Sequence, residues 1–309
     1  MNNLSGGILI LYKDGGITSH DAVNRVRRLY NTKQVGHTGT LDPMATGVLV
    51  MLVGRAVKCA EFFDGTVIES TKSYRALLRL GVVTDTGDVT GTVIDRFYSI
   101  PAEDDVLAAV SKFKGEIMQI PPMYSALKRG GVKLVDLARQ GIEVEREPRP
   151  VTISSISAER ITDTDYTLEV SCSKGTYIRT LCEDIGKLLG CGGTMAALER
   201  TAAHGFGLDG MSGLPAAVTL AQIEALGDDE RIALLYPVES LFSNLPHIEL
   251  PPFFARLARN GCEIYQHKIG TALAEGDYAA FYENDALFAI GRAGMFPDGS
   301  AIKAVKLLK

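Results

Sequence analysis

Short apolar runs typical of strands alternate with helical patterns along the first 60 residues of the chain. Residues 8–12 are apolar and predict a strand, which an Asp-Gly-Gly turn at 14–16 follows. Thr18 or Ser19 is then placed to cap a helix of about eleven residues that ends near Tyr30. After a loop rich in Gly, Thr and Pro, Val48–Val53 predicts a buried strand, and a helix is expected over 55–63.

The clearest alternation of apolar and polar positions covers residues 72–80. Tyr74, Ala76, Leu78 and Leu80 share one face, as in a strand with one buried side. The sequence Asp85-Thr86-Gly87-Asp88 then predicts the turn of a hairpin whose second strand is 92–97. Further strands are predicted at 151–156 and 166–172, and further helices at 101–113 and 177–189.

Two segments stand apart from this pattern. Residues 116–150 have prolines at their entry and exit with a short helix between, and this pattern indicates an insertion on the surface. A boundary is expected near Asn244–Pro252, which divides the chain into 1–244 and a small module at 245–309 with brief strands, similar to a β-barrel. The fold class predicted is α+β, with a mixed, largely antiparallel sheet surrounded by helices.

Composition excludes several classes of protein. The chain has 309 residues, of which 46% are hydrophobic and 22% charged, as in a globular protein. Its longest apolar run is far shorter than a membrane span, and the N-terminus lacks a signal-peptide pattern, so we expect a cytoplasmic protein. Neither the cysteines, which show no CxxC pair, nor the scattered histidines have the spacing of metal ligands, so no metal site is expected.

Charge is distributed unevenly along a chain whose formal net charge is −5. Residues 1–60 hold seven basic and three acidic side chains, and residues 121–150 hold six basic and four acidic ones. Residues 245–309 are neutral, with seven of each. The N-terminal part and the insertion are therefore the expected faces for a phosphate backbone.

Asp42 is the first candidate for chemistry. It lies in Gly36-His37-Thr38-Gly39-Thr40-Leu41-Asp42-Pro43, a loop that leads into the buried strand at 48–53. A carboxylate held between glycines and a proline is positioned rather than free to move. The alternative is a turn in which Asp42 accepts hydrogen bonds from backbone amides.

Lys174 and Arg179 are the second candidate group. They flank Gly175 where a strand ends and a helix begins, and helix N-termini favour anions. The anion is either a phosphate or a carboxylate such as Asp42, and an adjacent arginine would keep that aspartate ionised and lower its pKa. The alternative is an exposed cationic turn.

Tyr74 and Leu198 are open to two interpretations. Each fits a packed core, and each also fits the edge of a pocket, where a tyrosine ring would stack on a base. The triplet Asp85-Thr86-Gly87 matches that of aspartic proteases, but no second copy exists, so a plain hairpin turn is preferred. No glycine-rich nucleotide-binding motif is present.

Together, four segments resemble one family. They are GHTGTLDPMATGVL, then KSYRALLRLG with VTDTGDVTG, then PPMYSALKRGGVKLVDLARQGIEVEREPR, then SCSKGTYIRTLCEDIG. In this order they are similar to the bacterial TruB-type tRNA pseudouridine synthases, which isomerise uridine 55 in the T-loop of tRNA. The resemblance spans about residues 7–240, and 245–309 resemble the family's PUA-like RNA-binding module less distinctly.

The resemblance implies a role for each candidate residue. Asp42 corresponds to the essential aspartate, Arg179 to the arginine that pairs with it, and Tyr74 to the tyrosine that stacks on the target uracil. His37 corresponds to a residue beside the extruded base, Tyr177 and Leu198 to positions that line the base pocket, and Lys174 remains a candidate for binding the RNA. Residues 121–150 of the insertion correspond to a mobile RNA-binding segment that closes over the stem-loop, and Glu199 stands where the family often has arginine.

The implied reaction breaks the C1′–N1 bond of uridine, turns the base and rejoins it through C5, so no cofactor is expected. Asp42 would act as nucleophile at C1′ or on the base, or would assist loss of a proton from C2′. The base must first be flipped out of the T-loop. A monomer that binds the T-arm of tRNA without a protein partner is expected.

Two other readings stay open at this point. One is an RNA-binding or RNA-folding protein in which the catalytic residues are incidental. The other is a guide-dependent synthase within a ribonucleoprotein, although the long insertion favours the stand-alone type.

Overall fold

The computed structural model describes residues 6–125, 127–210 and 215–308. Its strands are β1 (Gly7–Lys13), β2 (Val35–His37), β3 (Thr46–Val53), β4 (Lys72–Leu80), β5 (Val82–Thr84), β6 (Val93–Arg96), β7 (Gly115–Gln119), β8 (Lys128–Arg129), β9 (Val132–Lys133), β10 (Arg149–Arg160), β11 (Asp165–Cys172), β12 (Gly193–Ala203), β13 (Phe206–Gly207), β14 (Val218–Thr219), β15 (His247–Glu249), β16 (Glu263–Tyr265), β17 (Tyr278–Glu283), β18 (Ala286–Phe296) and β19 (Gly299–Leu307). Its α-helices are α1 (Ser19–Leu29), α2 (Glu103–Ser111), α3 (Leu134–Ala138), α4 (Ile178–Leu189), α5 (Leu220–Ala225), α6 (Asp228–Ala233), α7 (Pro252–Arg259) and α8 (Gln266–Ile269). Two 3₁₀ helices cover Gly54–Asp64 and Val238–Phe242. No helix within the described ranges is long and apolar enough to cross a membrane.

A mixed, largely antiparallel sheet forms the centre of the molecule, in the order β14-β1-β3-β12-β4-β11-β10-β7. The pairs β1 with β14 and β3 with β12 are parallel, and the other neighbours along this path are antiparallel. A second, five-stranded sheet, β15-β17-β18-β19-β16, lies in the C-terminal part. The predicted α+β class with a small C-terminal β module is confirmed.

Strands β1 and β3 are buried on both faces, which explains their continuous apolar sequences. Leu9, Leu49 and Met51 face one core, shared with helices α1 and α4. Ile10 and Val50 face a second core, to which the C-terminal sheet contributes Leu287 and Ile290 among others. The C-terminal sheet therefore packs on the large sheet, on the face opposite to helices α1 and α4.

Several local predictions agree with the structure. Helix α1 has the expected eleven residues, and Thr18 caps it with a reciprocal pair of hydrogen bonds to Asp21. Strand β4 has the predicted bounds and buries the predicted face, with Tyr74, Ala76 and Leu78 all below 9% exposure. The hairpin around residues 85–92 is formed by β5 and β6.

Two expectations need correction, and one strand was not predicted. The helix predicted over 55–63 is a 3₁₀ helix, Gly54–Asp64. The insertion was expected over 116–150, but β7 and the start of β10 pair within the large sheet, so only residues 120–148 leave it. Strand β12, to which the sequence analysis assigns no element, lies at the centre of the sheet; two register shifts interrupt the alternation that would have predicted it.

Candidate active site

A cavity of about 650 Å³ opens where the loop before β3, the first residues of β4, the start of α4 and the insertion meet. Six of the seven predicted site residues line it: His37, Asp42, Tyr74, Tyr177, Arg179 and Leu198. Lys174 does not, because its Nζ donates to the carbonyl oxygen of Asp64 outside the cavity. A substrate contact by Lys174 stays a prediction.

Arg179 holds the carboxylate of Asp42 at two points. Its Nε lies 3.1 Å from Oδ2, and its Nη2 donates to Oδ1 over 3.4 Å. The guanidinium is itself fixed, since Nη2 also donates to the carbonyl oxygen of Tyr124 (2.7 Å) and Nη1 donates to that of Thr86 (3.2 Å). The arginine side chain is only 7% exposed, whereas that of Asp42 is 35% exposed toward the cavity. The sequence left either a phosphate or a carboxylate as the anion beside Arg179, and in the structure that anion is the carboxylate of Asp42.

The pKa of Asp42 is shifted in the opposite direction to the one predicted from sequence. Burial of the loop raises the pKa of this carboxyl, and Asp88 adds to the rise, while Arg179 and Lys13 oppose it. From sequence, the adjacent Arg179 predicted a lowered pKa for Asp42, but desolvation of the charged form outweighs the ion pair here. Arg179 is therefore the main group that keeps Asp42 available as an anion.

Asp88 is a site residue that the sequence analysis missed. The hairpin loop between β5 and β6 brings its Oδ2 to 3.8 Å from Nη1 of Arg179, and its side chain is 7% exposed. Its Oδ1 accepts hydrogen bonds from the hydroxyl of Thr86 and the backbone N–H of Thr90, each 3.0 Å long. The hairpin turn predicted at Asp85-Thr86-Gly87-Asp88 thus also brings a second carboxylate, that of Asp88, to the arginine. Threonines two residues before and after Asp88 were the available signal.

Buried polar side chains fasten the Asp42 loop on one side. The hydroxyl of Ser19 accepts from the N–H of Leu41 over 2.9 Å and donates to its carbonyl over 3.1 Å. Nζ of Lys13, a fully buried lysine, donates to the carbonyl oxygens of Pro43 (3.2 Å) and Ala45 (2.7 Å). These bonds fix the backbone immediately before and after Asp42.

Arg200 fastens the other side of the same loop. It lies on β12 with 1% exposure and donates to the carbonyl oxygens of Val48 (2.7 Å), Gly39 (3.0 Å) and Thr40 (3.4 Å). Its backbone pairs with Gly47 in the parallel contact between β12 and β3. No sequence signal indicated this role, because the strand that carries Arg200 was not predicted.

The remaining walls of the cavity are aromatic and apolar. Tyr74 on β4 is 7% exposed and Leu198 on β12 is 8% exposed, so both are packed and both also line the opening. Burial raises the pKa of the Tyr74 phenol, which stays neutral, and lowers the pKa of the His37 imidazole. Tyr177 precedes α4, where its backbone N–H donates to Oε1 of Gln119 (2.8 Å) and its carbonyl accepts from Nε2 (3.0 Å). In the described part of the chain, no group of three His, Cys, Asp or Glu residues is arranged to hold a metal ion.

Comparison with protein families gives two matches. Residues 27–178 match the model described as TruB family pseudouridylate synthase, N-terminal domain, and residues 179–243 match the tRNA pseudouridylate synthase B C-terminal domain. A protein from Aromatoleum aromaticum named tRNA pseudouridine synthase B is 46% identical over 82% of this chain and 80% of its own length. One of the same name from Burkholderia mallei is 43% identical over 93% of each chain.

Solved structures share the fold. The structure titled Crystal Structure of a Cbf5-Nop10-Gar1 Complex superposes with a TM-score of 0.71 at 24% sequence identity, covering 99% of this chain and 86% of that one. A structure of an H/ACA RNP bound to a substrate RNA containing 2′-deoxyuridine gives a TM-score of 0.70 at 22% identity, with the same coverage. At this identity the likeness concerns the arrangement of the two sheets and their helices.

Proposed function

The chain belongs to the TruB family of pseudouridylate synthases, and we propose that it isomerises uridine 55 in the T-loop of tRNA to pseudouridine. The relatives' shared name supplies the substrate, since each is called tRNA pseudouridine synthase B. The observation that carries the proposal is the pair of Asp42 and Arg179 at the wall of a cavity bounded by Tyr74, Tyr177 and Leu198. A fixed anion beside an aromatic and apolar wall suits a reaction at the sugar of a bound pyrimidine.

Asp42 serves in this proposal as the nucleophile. One carboxylate oxygen bonds to C1′ as the C1′–N1 bond breaks, and the uracil leaves with the electron pair on N1. The base turns, C5 attacks C1′, and the carboxylate departs. C5 then loses its hydrogen to solvent and N1 gains a proton, so the product is an isomer of the substrate and no redox cofactor takes part.

The detached uracil has to stay in place while it turns. Tyr74 offers a flat surface for stacking, and Leu198 with Tyr177 closes the apolar side. A cavity of about 650 Å³ holds one flipped nucleotide rather than a duplex, so the target base leaves the T-loop before reaction. His37, at the edge of the same cavity, is proposed to fill the place of the extruded base.

The remaining parts of the chain are assigned to RNA binding. In this proposal residues 1–244 form the catalytic unit, the insertion closes over the stem-loop, and residues 245–309 form a PUA-like RNA-binding module. The protein acts as a cytoplasmic monomer without a protein partner. Recognition follows the shape and phosphates of the stem-loop, and so weakens as salt rises.

The test is release of tritium from a T-arm hairpin that carries uridine labelled at C5. Purified protein without added cofactor should release the label, because C5 loses its hydrogen when the glycosidic bond moves there. A hairpin with cytidine at position 55 is the matched control for the site and should release none from its labelled uridines. Absence of release from both the hairpin and whole tRNA would refute the proposal.

A further inference from the structure

Lys72 is a cation in the cavity to which the described residues offer no anionic partner. It begins strand β4, and its side chain lines the cavity beside the Asp42 loop, where a Cβ added to Gly39 would lie 3.2 Å from its Nζ. Across residues 6–125, 127–210 and 215–308, its Nζ makes neither a hydrogen bond nor an ion pair. The charged side chains that act on it, Arg200 and Lys174, are both positive. The Cys172 thiol also acts on it with the opposite sign, but burial raises the pKa of that thiol to about 11, so it is neutral.

Burial accounts for the unusual state of this lysine. It lowers the pKa of Lys72 to about 8, and Arg200 pushes in the same direction. A largely protonated ammonium at neutral pH, partly removed from water and without a partner among the described residues, carries a cost that an incoming anion would offset.

The other charged residues that line the cavity also favour an anionic ligand for Lys72. Among the described residues that line it, Asp42 is the only carboxylate, and Arg179 already holds that group. The lining cations that remain are Lys72 and Lys133, the latter exposed on the insertion. The uracil of the bound substrate is neutral before the C1′–N1 bond breaks, so the charge that would match Lys72 on binding belongs to the backbone of the RNA.

We propose that Lys72 binds a phosphate next to the flipped nucleotide, while the base of that nucleotide lies against Tyr74. The inference rests on the proposed function and adds a binding residue to it. Lys72 and Tyr74 are two positions apart on β4 and share a face, so their Cα atoms lie about 7 Å apart. In a nucleotide the base and the phosphate are attached to the same sugar, so one nucleotide can reach both side chains. A desolvated ammonium forms a strong, charge-assisted bond to phosphate.

The first arm of the test measures hairpin affinity against salt for the full chain. Lys72→Met should weaken binding about tenfold at moderate salt and reduce the slope of log K against log salt by about one. Lys72→Arg keeps the charge and should restore most of the affinity. Lys112→Met is the control, since Lys112 is exposed at the end of helix α2 outside the cavity, and it should change neither quantity.

The second arm removes the charge from the RNA instead. Hairpins with one neutral methylphosphonate, placed on the 5′ or the 3′ side of the target uridine, are compared with the normal hairpin. At one of the two linkages the wild-type protein should lose about as much affinity as Lys72→Met loses, and Lys72→Met should lose nothing further. If at both linkages the methylphosphonate lowers the affinity of Lys72→Met as much as it lowers that of the wild type, the proposal is overturned. An unchanged affinity with a slower single-turnover rate would also overturn it, because Lys72 would then act on the uracil.

Two further measurements separate an effect of the substitution on folding from an effect on RNA binding. Because the substitution removes an unpaired cation from a mostly buried position, Lys72→Met should unfold at the same temperature as wild type or higher. If that variant unfolds earlier, Lys72→Arg and the methylphosphonate series on wild type still decide. Failure of the proposed function is distinguishable, since wild-type protein would then release no tritium at all, whatever Lys72 binds.

Discussion

Replacing Gly47 by alanine tests whether the contact between β3 and β12 positions the Asp42 loop. Gly47 has a φ of +100°, and an added Cβ would lie 2.7 Å from the backbone nitrogen of Arg200 and closer still to its carbonyl oxygen. Both neighbours are backbone atoms, so the collision is relieved only by moving the two strands apart. Such a movement would shift Arg200 and, with it, the carbonyls of Gly39 and Thr40 that Arg200 holds.

The expected loss of unfolding free energy in Gly47→Ala has two parts. Alanine at a positive φ costs of the order of 1–3 kcal/mol. Forcing an extra carbon into packed backbone adds about 1–3 kcal/mol. Gly190→Ala is the matched control, because Gly190 has a φ of +69° at the end of helix α4, and apart from its two chain neighbours no described residue has a heavy atom within 4 Å of an added Cβ. It should show the conformational part alone, of the order of 1–3 kcal/mol.

The assay combines equilibrium unfolding in denaturant with single-turnover tritium release, both on the full chain. Gly47→Ala should lose about 1–3 kcal/mol more than Gly190→Ala and should also react more slowly at full saturation with hairpin. Gly190→Ala should keep the wild-type rate. Equal losses of stability in the two variants, or a Gly47→Ala protein with the wild-type rate, would refute the reasoning that this contact sets the position of Asp42.

Three further predictions concern charged groups. Lys13→Met leaves carbonyls of the Asp42 loop without their donor, so unfolding measurements should show a loss of at least about 1–3 kcal/mol and activity should fall. Arg179→Met removes the main opposition to the raised pKa of Asp42, so the pH–rate profile should show the largest loss of activity at acid pH and partial recovery as pH rises. Burial lowers the pKa of His204 to about 4, so the unfolded chain takes up the proton first and stability should fall by up to about 3 kcal/mol as pH drops from about 6.5 to about 4. His204→Asn, which tolerates the φ of +57°, should flatten that dependence of the unfolding free energy on pH.

The elements that sequence predicted well are those with a strong local period. Strand β4 alternates without interruption, and helix α1 carries both its capping residues, so local physics alone determined them. Strand β12 was not predicted, because its register shifts twice and its residues are mostly small. Its place depends on the strands on either side. The bounds of the insertion were missed for a similar reason, since β7 is short and is defined by pairing with distant residues.

The candidate site divides in the same way. His37, Asp42, Tyr74, Tyr177, Arg179 and Leu198 were named from motifs, and the fold brings all six to one cavity. The residues that hold them, among them Lys13, Asp88 and Arg200, act through contacts between segments far apart in sequence. The direction of the Asp42 pKa shift was missed because burial is a property of the folded chain.

The central claim is that the carboxylate of Asp42, held by Arg179, reacts with the bound nucleotide. Asp42→Asn tests it most directly, because the amide keeps the shape of the side chain and removes its charge. Single-turnover tritium release from the labelled T-arm hairpin should drop to the background, while the hairpin binds with nearly the wild-type affinity. A variant that still forms pseudouridine at a rate close to wild type would contradict the assignment of Asp42.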